Sequence, residues 1–300
     1  MDIVNQKEVE SYRSSPEAGS MIGSELLAIR TDKYYASLQD KGCLGYLPYK
    51  EMVTAFEFLS GEVTVWAGET KSKKSFFTGF CLMHLALKGQ RCALASFEMP
   101  PEVSFERMSR AYNAKKETTE SSDRLEFGER VAGNLFFYDF VGTAHSKDVY
   151  AYIDFCANAL KCKHIMIDSL MMIEFNKQME INNDQKNFMS ELIQLAKSYR
   201  VHIHLICHFK KPDNIKRRAN VYDIMGTSAI PNLASNLFLI ERNTDPDINI
   251  DIGLTLSRSR SFREWEGSMG LKFQENFQFH DWKNTYSMSK EDMSRGCYFK

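Results

Sequence analysis

The stretch from Gly61 to Met99 most constrains how this chain can fold, because it reads as strand, loop, helix and strand in close succession. Residues Glu62 to Ala67 are apolar and β-branched enough for a buried strand. Gly68 ends it and Glu69-Thr70-Lys71-Ser72-Lys73-Lys74-Ser75 follow. Phe76, Phe77, Phe80, Cys81, Met83, His84 and Leu87 then recur at helical spacing until Gly89 stops the helix. A second buried strand, Arg91 to Phe97, closes on Glu98. A phosphate loop needs Gly-x-x-x-x-Gly-Lys-Ser/Thr between a strand and a helix, where backbone N–H groups and the helix N-terminus face a polyphosphate. Gly68, Lys74 and Ser75 fall in their slots, with Thr70 and Ser72 inside the loop; Lys73 stands where the second glycine belongs. In such a loop Lys74 reaches the β- and γ-phosphates and the Ser75 hydroxyl ligates Mg²⁺. A lysine at position 73 requires a shifted backbone or a side chain that leaves the pocket. A basic turn between a core strand and a core helix fits the same residues, so this segment alone leaves both readings open.

With 300 residues, 43% of them hydrophobic, the chain can form one large or two small domains around a substantial core. A net charge of −1 means that any nucleic-acid-binding surface must be local. The seven cysteines include no C-x-x-C pair and read as reduced thiols, which predicts a cytoplasmic protein, in the host cytoplasm if viral. We expect no signal peptide and no membrane span, since no basic start leads into an apolar run and no long uncharged apolar window exists.

Residues 1–57 read as a linker with one helix over Met21–Leu38 and a turn at Leu44–Pro48; 58–283 read as one domain and 284–300 as a polar tail. After Glu98 the pattern predicts a helix to Tyr112, an exposed loop over Asn113–Arg124 and a strand at Leu135–Tyr138. A helix from Ser146, a strand His164–Asp168, a loop Glu174–Asn183 and a helix Asp184–Tyr199 follow. The strand Val201–Cys207 ends on His208, and further strands are expected at Asn236–Glu241, Gly253–Ser257 and Met269–Phe273. Strands alternating with amphipathic helices predict an α/β fold with a mostly parallel central sheet. Lys210, Lys211, Lys216, Arg217 and Arg218, against Asp213 alone, form a basic loop beside the sheet edge where ligands bind.

Four strand-like runs close on the Gly68 turn, Glu98, Asp168 and His208, and in a parallel sheet these ends share one edge. A buried run ending in Asp168 suits a Mg²⁺-organising carboxylate and equally an ordinary strand-end residue. His202, His204 and His208 project to one face and invite a metal reading. That reading is the weaker, because His202 and His204 lie within a covered strand with no carboxylate or thiol at ligand spacing.

The segments "SGEVTVWAGETKSKKS", "ASFEMPPE", "KHIMIDSL", "VHIHLICHFKKPD", "DIMGTSAIPNLASNLFLIERN" and "EWEGSMGLKF", in that order, resemble the ATPase domain of ring-shaped replicative helicases. The group is the DnaB-like and Twinkle-like one, of the bacteriophage primase–helicase type, and the resemblance runs from about Phe58 to Phe279. It implies a RecA-like core, ATP or another nucleoside triphosphate with Mg²⁺ at subunit interfaces, a homo-hexamer, single-stranded DNA as ligand, and a separate primase or polymerase as partner. Carried over by residue, Lys74, Ser75 and Asp168 hold phosphate and Mg²⁺, and Arg242 joins the nucleotide contacts. Glu98 polarises the attacking water, His208 senses the γ-phosphate, and Arg260 is a finger offered to the neighbouring subunit, with Arg258 the competing register. Lys210, Lys211 and the basic loop line a DNA channel. The chain departs from the pattern at Lys71 and Lys73 in the loop, at Asn232 in place of a coupling glutamine, and at Ser235 in place of an aspartate. Residues 1–57 are too short and lack the paired cysteines for a primase or zinc-ribbon segment. The implied activity is DNA unwinding driven by ATP. The alternative is a degenerate ring subunit or accessory protein that binds single-stranded DNA or a helicase partner without hydrolysis.

Overall fold

Val63, Val65 and Ala67 alternate along one run with Thr64 and Trp66, and both sets are buried, so this segment must be covered on both faces. The computed structural model describes residues 23–49, 56–175, 181–210, 220–243, 247–259 and 267–281. Two units are distinguished, Met1–Gly42 and Cys43–Lys300. In the first, helix α1 spans Ser24–Lys41. In the second, β1 (Cys43–Gly45) pairs antiparallel with β2 (Phe58–Leu59), and β3 (Val63–Gly68) leads through the loop into α2 (Lys74–Leu87). There follow β4 (Cys92–Ser96), α3 (Pro101–Asn113), α4 (Ser121–Val131), β5 (Leu135–Phe137), β6 (Ala144–His145) and α5 (Ser146–Asn158). Next come β7 (His164–Asp168), β8 (Ile173–Glu174), α6 (Ile181–Tyr199), β9 (His202–His208) and α7 (Ala229–Leu233). The last strands are β10 (Asn236–Arg242), β11 (Ile252–Ser259), β12 (Gly267–Phe273) and β13 (Phe279–Asp281).

One nine-stranded sheet runs β13-β12-β11-β10-β3-β9-β7-β4-β5. From β10 to β5 all neighbours are parallel; β11, β12 and β13 add antiparallel strands at one side. Trp66 lies in the core on the α2 face, with Phe77, Leu82 and Phe238. Val63, Val65 and Ala67 lie in the core on the other face, with Ile165, Leu192 and Leu205. This is the mostly parallel α/β sheet that the strand–helix alternation predicts. Among the described residues no helix is long and apolar enough to cross a membrane.

The structure corrects four local expectations. The Leu44–Pro48 turn is instead entered by β1, and Leu44, Leu47, Tyr49, Phe56 and Phe58 are core residues rather than linker. Their partners are remote: the Tyr49 hydroxyl donates to the Phe279 carbonyl at 3.3 Å, so glycine and proline signal a bend that tertiary contacts then hold. Helix α4 begins inside the expected Asn113–Arg124 loop, with the Glu120 N–H donating to Asp123 Oδ2 at 3.2 Å. Only Phe127 and Val131 of α4 are buried, too thin a stripe to read as a helix. Helix α6 begins within the expected Glu174–Asn183 loop, at Ile181. Arg258 lies inside β11 rather than after it.

His202 and His204 are core residues, joined by His164 from β7. Trp66 Nε1–H donates to His204 Nδ1 at 3.3 Å, which puts the His204 proton on Nε2, facing His164 Nδ1 at 3.0 Å. His164 Nε2–H then donates to the Leu44 carbonyl at 3.1 Å. His202 Nδ1–H donates to the Leu59 carbonyl and its Nε2 accepts from the Thr64 hydroxyl, both at 2.7 Å. The Phe58 ring stands edge-on to all three imidazoles. Every ring nitrogen is thus engaged in the neutral form, and none is left for a metal.

Five of the seven histidines are buried, and burial pushes His84, His164 and His280 down to about 4, His202 to about 3, and His204 well below the usual range. Between the ordinary histidine value of about 6.5 and about 4, the unfolded chain binds protons that the folded chain refuses. Their stability contribution is therefore full above the upper limit and is lost as pH falls through the window. Glu62 and Asp168, raised to about 7 and about 6 chiefly by burial, act in the opposite sense but are outnumbered. Urea unfolding should show a lower midpoint near pH 4.5 than near pH 7, and His164→Gln should flatten the dependence. An equal midpoint at both pH values would refute the histidine account.

Candidate functional site

The loop after β3 is shaped by two different backbone demands. Gly68 lies between β9 and β10, in register with His208 and Ile240. A Cβ on Gly68 would meet the Ile240 carbonyl at 2.3 Å and Ser72 Oγ at 2.8 Å, so close approach rather than a special dihedral excludes a side chain. Lys71 and Lys73 instead occupy the left-handed region, with φ of 68° and 65°. That conformation costs an L-residue about 1–2 kcal/mol. The Lys73 ammonium sits 3.6 Å from the centroid of Phe273 on β12, and such a cation–π contact contributes about 0.5–2 kcal/mol. The two are of one size, so the ring contact offsets much of the strain. Lys73 thus takes the glycine-like backbone and sends its side chain out of the pocket.

Lys74 points inward. Its side chain is buried, and Nζ donates to the Gly68 and Glu69 carbonyls at 2.9 and 2.6 Å. Burial lowers its pKa to about 8, against the opposing pull of Asp168 and Glu98. Asp168 closes β7 and is almost fully buried; burial raises its pKa to about 6, a hydrogen bond from Ser75 opposes this, and its Oδ1 has no partner. Glu98, just after β4, accepts from Ser169 Oγ at 2.6 Å and lies 3.4 Å from His208 Nε2. The His208 contact leads in holding the Glu98 carboxyl down at about 2, against partial burial.

Strand ends predicted to share one edge do so here, and orphaned buried polar atoms mark that edge: Ser72 Oγ, Asp168 Oδ1 and His208 Nδ1. Buried polar atoms are ordinarily satisfied by protein, water or a bound ligand. An unpartnered buried carboxylate oxygen beside the Ser75 hydroxyl fits Mg²⁺, which takes one or two carboxylates plus substrate phosphates rather than an all-protein cage. Among the described residues no group of three or more His, Cys, Asp or Glu could form such a cage.

Thr70 and Arg242 are exposed, the latter at the end of β10 with its charge felt by Lys73. The Arg258 guanidinium donates to the Pro231 carbonyl at 2.9 Å. Lys210 is held by its N–H to the Asp223 carbonyl at 2.7 Å. Arg260, Lys211, Lys216, Arg217 and Arg218 lie outside the described residues. Two residues escaped the sequence reading. Ser169 carries the bond to Glu98, and its only sequence signal is its place after Asp168. Arg107 of α3 stacks over Phe76, 4.1 Å from the ring centroid, and lines a cleft with Ser75 and Asp168. Only its spacing along the helix after Glu98 hinted at it.

Gly68→Ala should displace the loop from β10, lower the thermal midpoint and weaken nucleotide-analogue binding more than tenfold, since a backbone carbonyl must move. Unchanged melting and binding would show that the loop does not depend on this approach.

The model of the AAA domain family matches residues 38–214. A DNA helicase/primase of Enterobacteria phage T3 is 24% identical over 206 residues, covering 63% of this chain and 36% of that protein. The chain thus spans about a third of that relative's length. Among solved structures, one ATPase domain superposes with a TM-score of 0.70 at 14% identity, over 87% of this chain and 99% of that one. A DnaB-like replicative helicase, solved in a study of its interactions with primase, gives 0.69 at 14% identity, over 91% of this chain and 73% of that one.

Proposed function

The chain belongs to the AAA domain family, and from that premise we propose that it is an ATP-dependent DNA helicase of replication, translocating on single-stranded DNA. The observation that carries this reading is the meeting of Lys74, Ser75, Glu98, Asp168 and His208 at the C-terminal edge of a parallel sheet. The substrate is ATP or another nucleoside triphosphate, its phosphates received by the N–H groups of the loop and the first turn of α2. Bound Mg²⁺, held through Ser75 and Asp168, would neutralise charge on the β- and γ-phosphates. Glu98 orients the attacking water, with Ser169 fixing its carboxylate. Phosphoryl transfer of this kind asks for positioning and charge stabilisation rather than covalent chemistry.

His208 links the site to DNA. Directly after it Phe209 bridges Ile224, the Met225 N–H donates to the His208 carbonyl at 2.7 Å, and Lys210 is bonded to Asp223. The described chain is thus pinned on both sides of residues 211–219, whose sequence carries Lys211, Lys216, Arg217 and Arg218. These cations suit the DNA backbone rather than bases. Replacing Lys210, Lys211 and Arg217 by alanine should weaken DNA binding similarly on all sequences and flatten its salt dependence; unchanged binding would remove the loop from the channel.

The end of β11 lies at the opposite end of β10 from the loop. Ser259 pairs with Asn236 while Gly68 pairs with Ile240, four residues further along β10, which is roughly 13 Å of strand. The end of β11 thus leads away from its own loop, which supports an arginine acting on the neighbouring subunit of a homo-hexamer. Arg258 is already engaged by Pro231, which favours Arg260 as that residue. A primase or polymerase is the further partner of this reading.

ATPase assays with and without single-stranded DNA test the proposal. DNA should stimulate hydrolysis, Lys74→Ala should abolish nucleotide binding and turnover, and Arg260→Ala should cost about 10³–10⁵ in rate with binding retained. Mixing Arg260→Ala with Lys74→Ala subunits should restore part of the activity, because each lacks a different half of a shared site. No nucleotide binding at millimolar concentration would leave the accessory DNA-binding role instead.

A further inference from the structure

Lys73 stands at the rim of the loop with its ammonium turned onto the Phe273 ring. Its backbone is fixed in the left-handed region as the residue that caps α2, so its side chain springs from the rim of the anion cradle. Its ammonium lies over the Phe273 ring, and among the described residues it forms no ion pair. The nearby carboxylate is occupied: Asp251 Oδ2 accepts from the Phe273 N–H at 3.0 Å and lies 3.8 Å from Lys272 Nζ. Meanwhile Lys74, the lysine turned into the loop, is folded onto the Gly68 and Glu69 carbonyls, and Ser72 Oγ and Asp168 Oδ1 have no partner.

Opposite charges in contact attract more strongly than a cation and a ring quadrupole. A terminal phosphate entering the cradle would compete for an ammonium held by the Phe273 ring and the more distant charge of Asp251. We infer that Lys73 is a second phosphate-binding cation, exchanged between the Phe273 ring in the empty loop and the terminal phosphate of a bound nucleoside triphosphate. The exchange makes the loop prefer triphosphate to diphosphate beyond what Lys74 alone supplies, and Phe273 acts as the surface that keeps the cation out of the empty pocket. The inference rests on reading the loop as a nucleotide site.

The test uses the full chain, a non-hydrolysable ATP analogue and ADP. Lys73→Met keeps the side-chain length and the ring contact but removes the charge. It should weaken binding of the triphosphate by about tenfold and of the diphosphate much less. Lysines dimethylated with ¹³C keep their charge and give a direct readout. The Lys73 resonance, assigned by its loss in Lys73→Met, should be shifted upfield by the ring current of Phe273 and should lose that shift when the analogue is added, but not with ADP. Equal weakening of both ligands, or an upfield shift that persists with the analogue bound, overturns the exchange while leaving the nucleotide site intact. Lys74→Ala separates the two ideas: if wild type and Lys74→Ala both fail to bind either nucleotide, the site reading falls and the exchange falls with it.

Discussion

The contact on which the site depends is the approach of Gly68 to the Ile240 carbonyl. It lets β3 end flush between β9 and β10, so that the loop emerges level with the ends of the other parallel strands. A side chain there would lift the loop off the sheet. Lys74 would then lose the Gly68 and Glu69 carbonyls that hold it inward, and Ser75 would lose its alignment with Asp168. Close packing turns a difference of one methyl group into a displacement of the whole loop, because the interior has no slack to absorb it.

The second glycine of the motif answers a different need, and the chain shows that the two are separable. Position 73 demands a left-handed backbone, a torsional cost that a favourable contact elsewhere can offset. Position 68 demands empty space, which no contact can supply. A lysine is therefore tolerated at 73, where Phe273 receives it, and would not be tolerated at 68. A motif that treats its glycines as equivalent misses this distinction.

The long central strands were legible because each is an apolar run buried on both faces, and chain direction alone then places Glu98, Asp168 and His208 on one edge. Of the short strands, Leu135–Phe137 showed as an aromatic run, but most did not. β1 and β2 are held by carbonyls of Leu44 and Leu59 that accept from histidines 120 and 143 residues away, and no local pattern encodes such partners. β13 has three residues, too few to show a period. In the site, Ser169 escaped notice because only its place after Asp168 marks it, and Arg107 because it reaches Ser75 and Asp168 through the packing of its helix. Phe273 did so because its partner Lys73 lies at the other end of the domain's sequence and across the sheet.

The neck at the end of β9 has an evolutionary consequence. Phe209 and Ile224, with the bonds of Lys210 to Asp223 and Met225 to His208, close the chain into a ring before residues 211–219 begin. Those bonds fix where the chain leaves and rejoins the sheet, whatever the length of sequence between. Doubling the length of such a loop costs only about 0.6 kcal/mol in closure entropy. Descendants of this chain are free to lengthen, recharge or graft that segment, while the histidine beneath it stays where the strand left it.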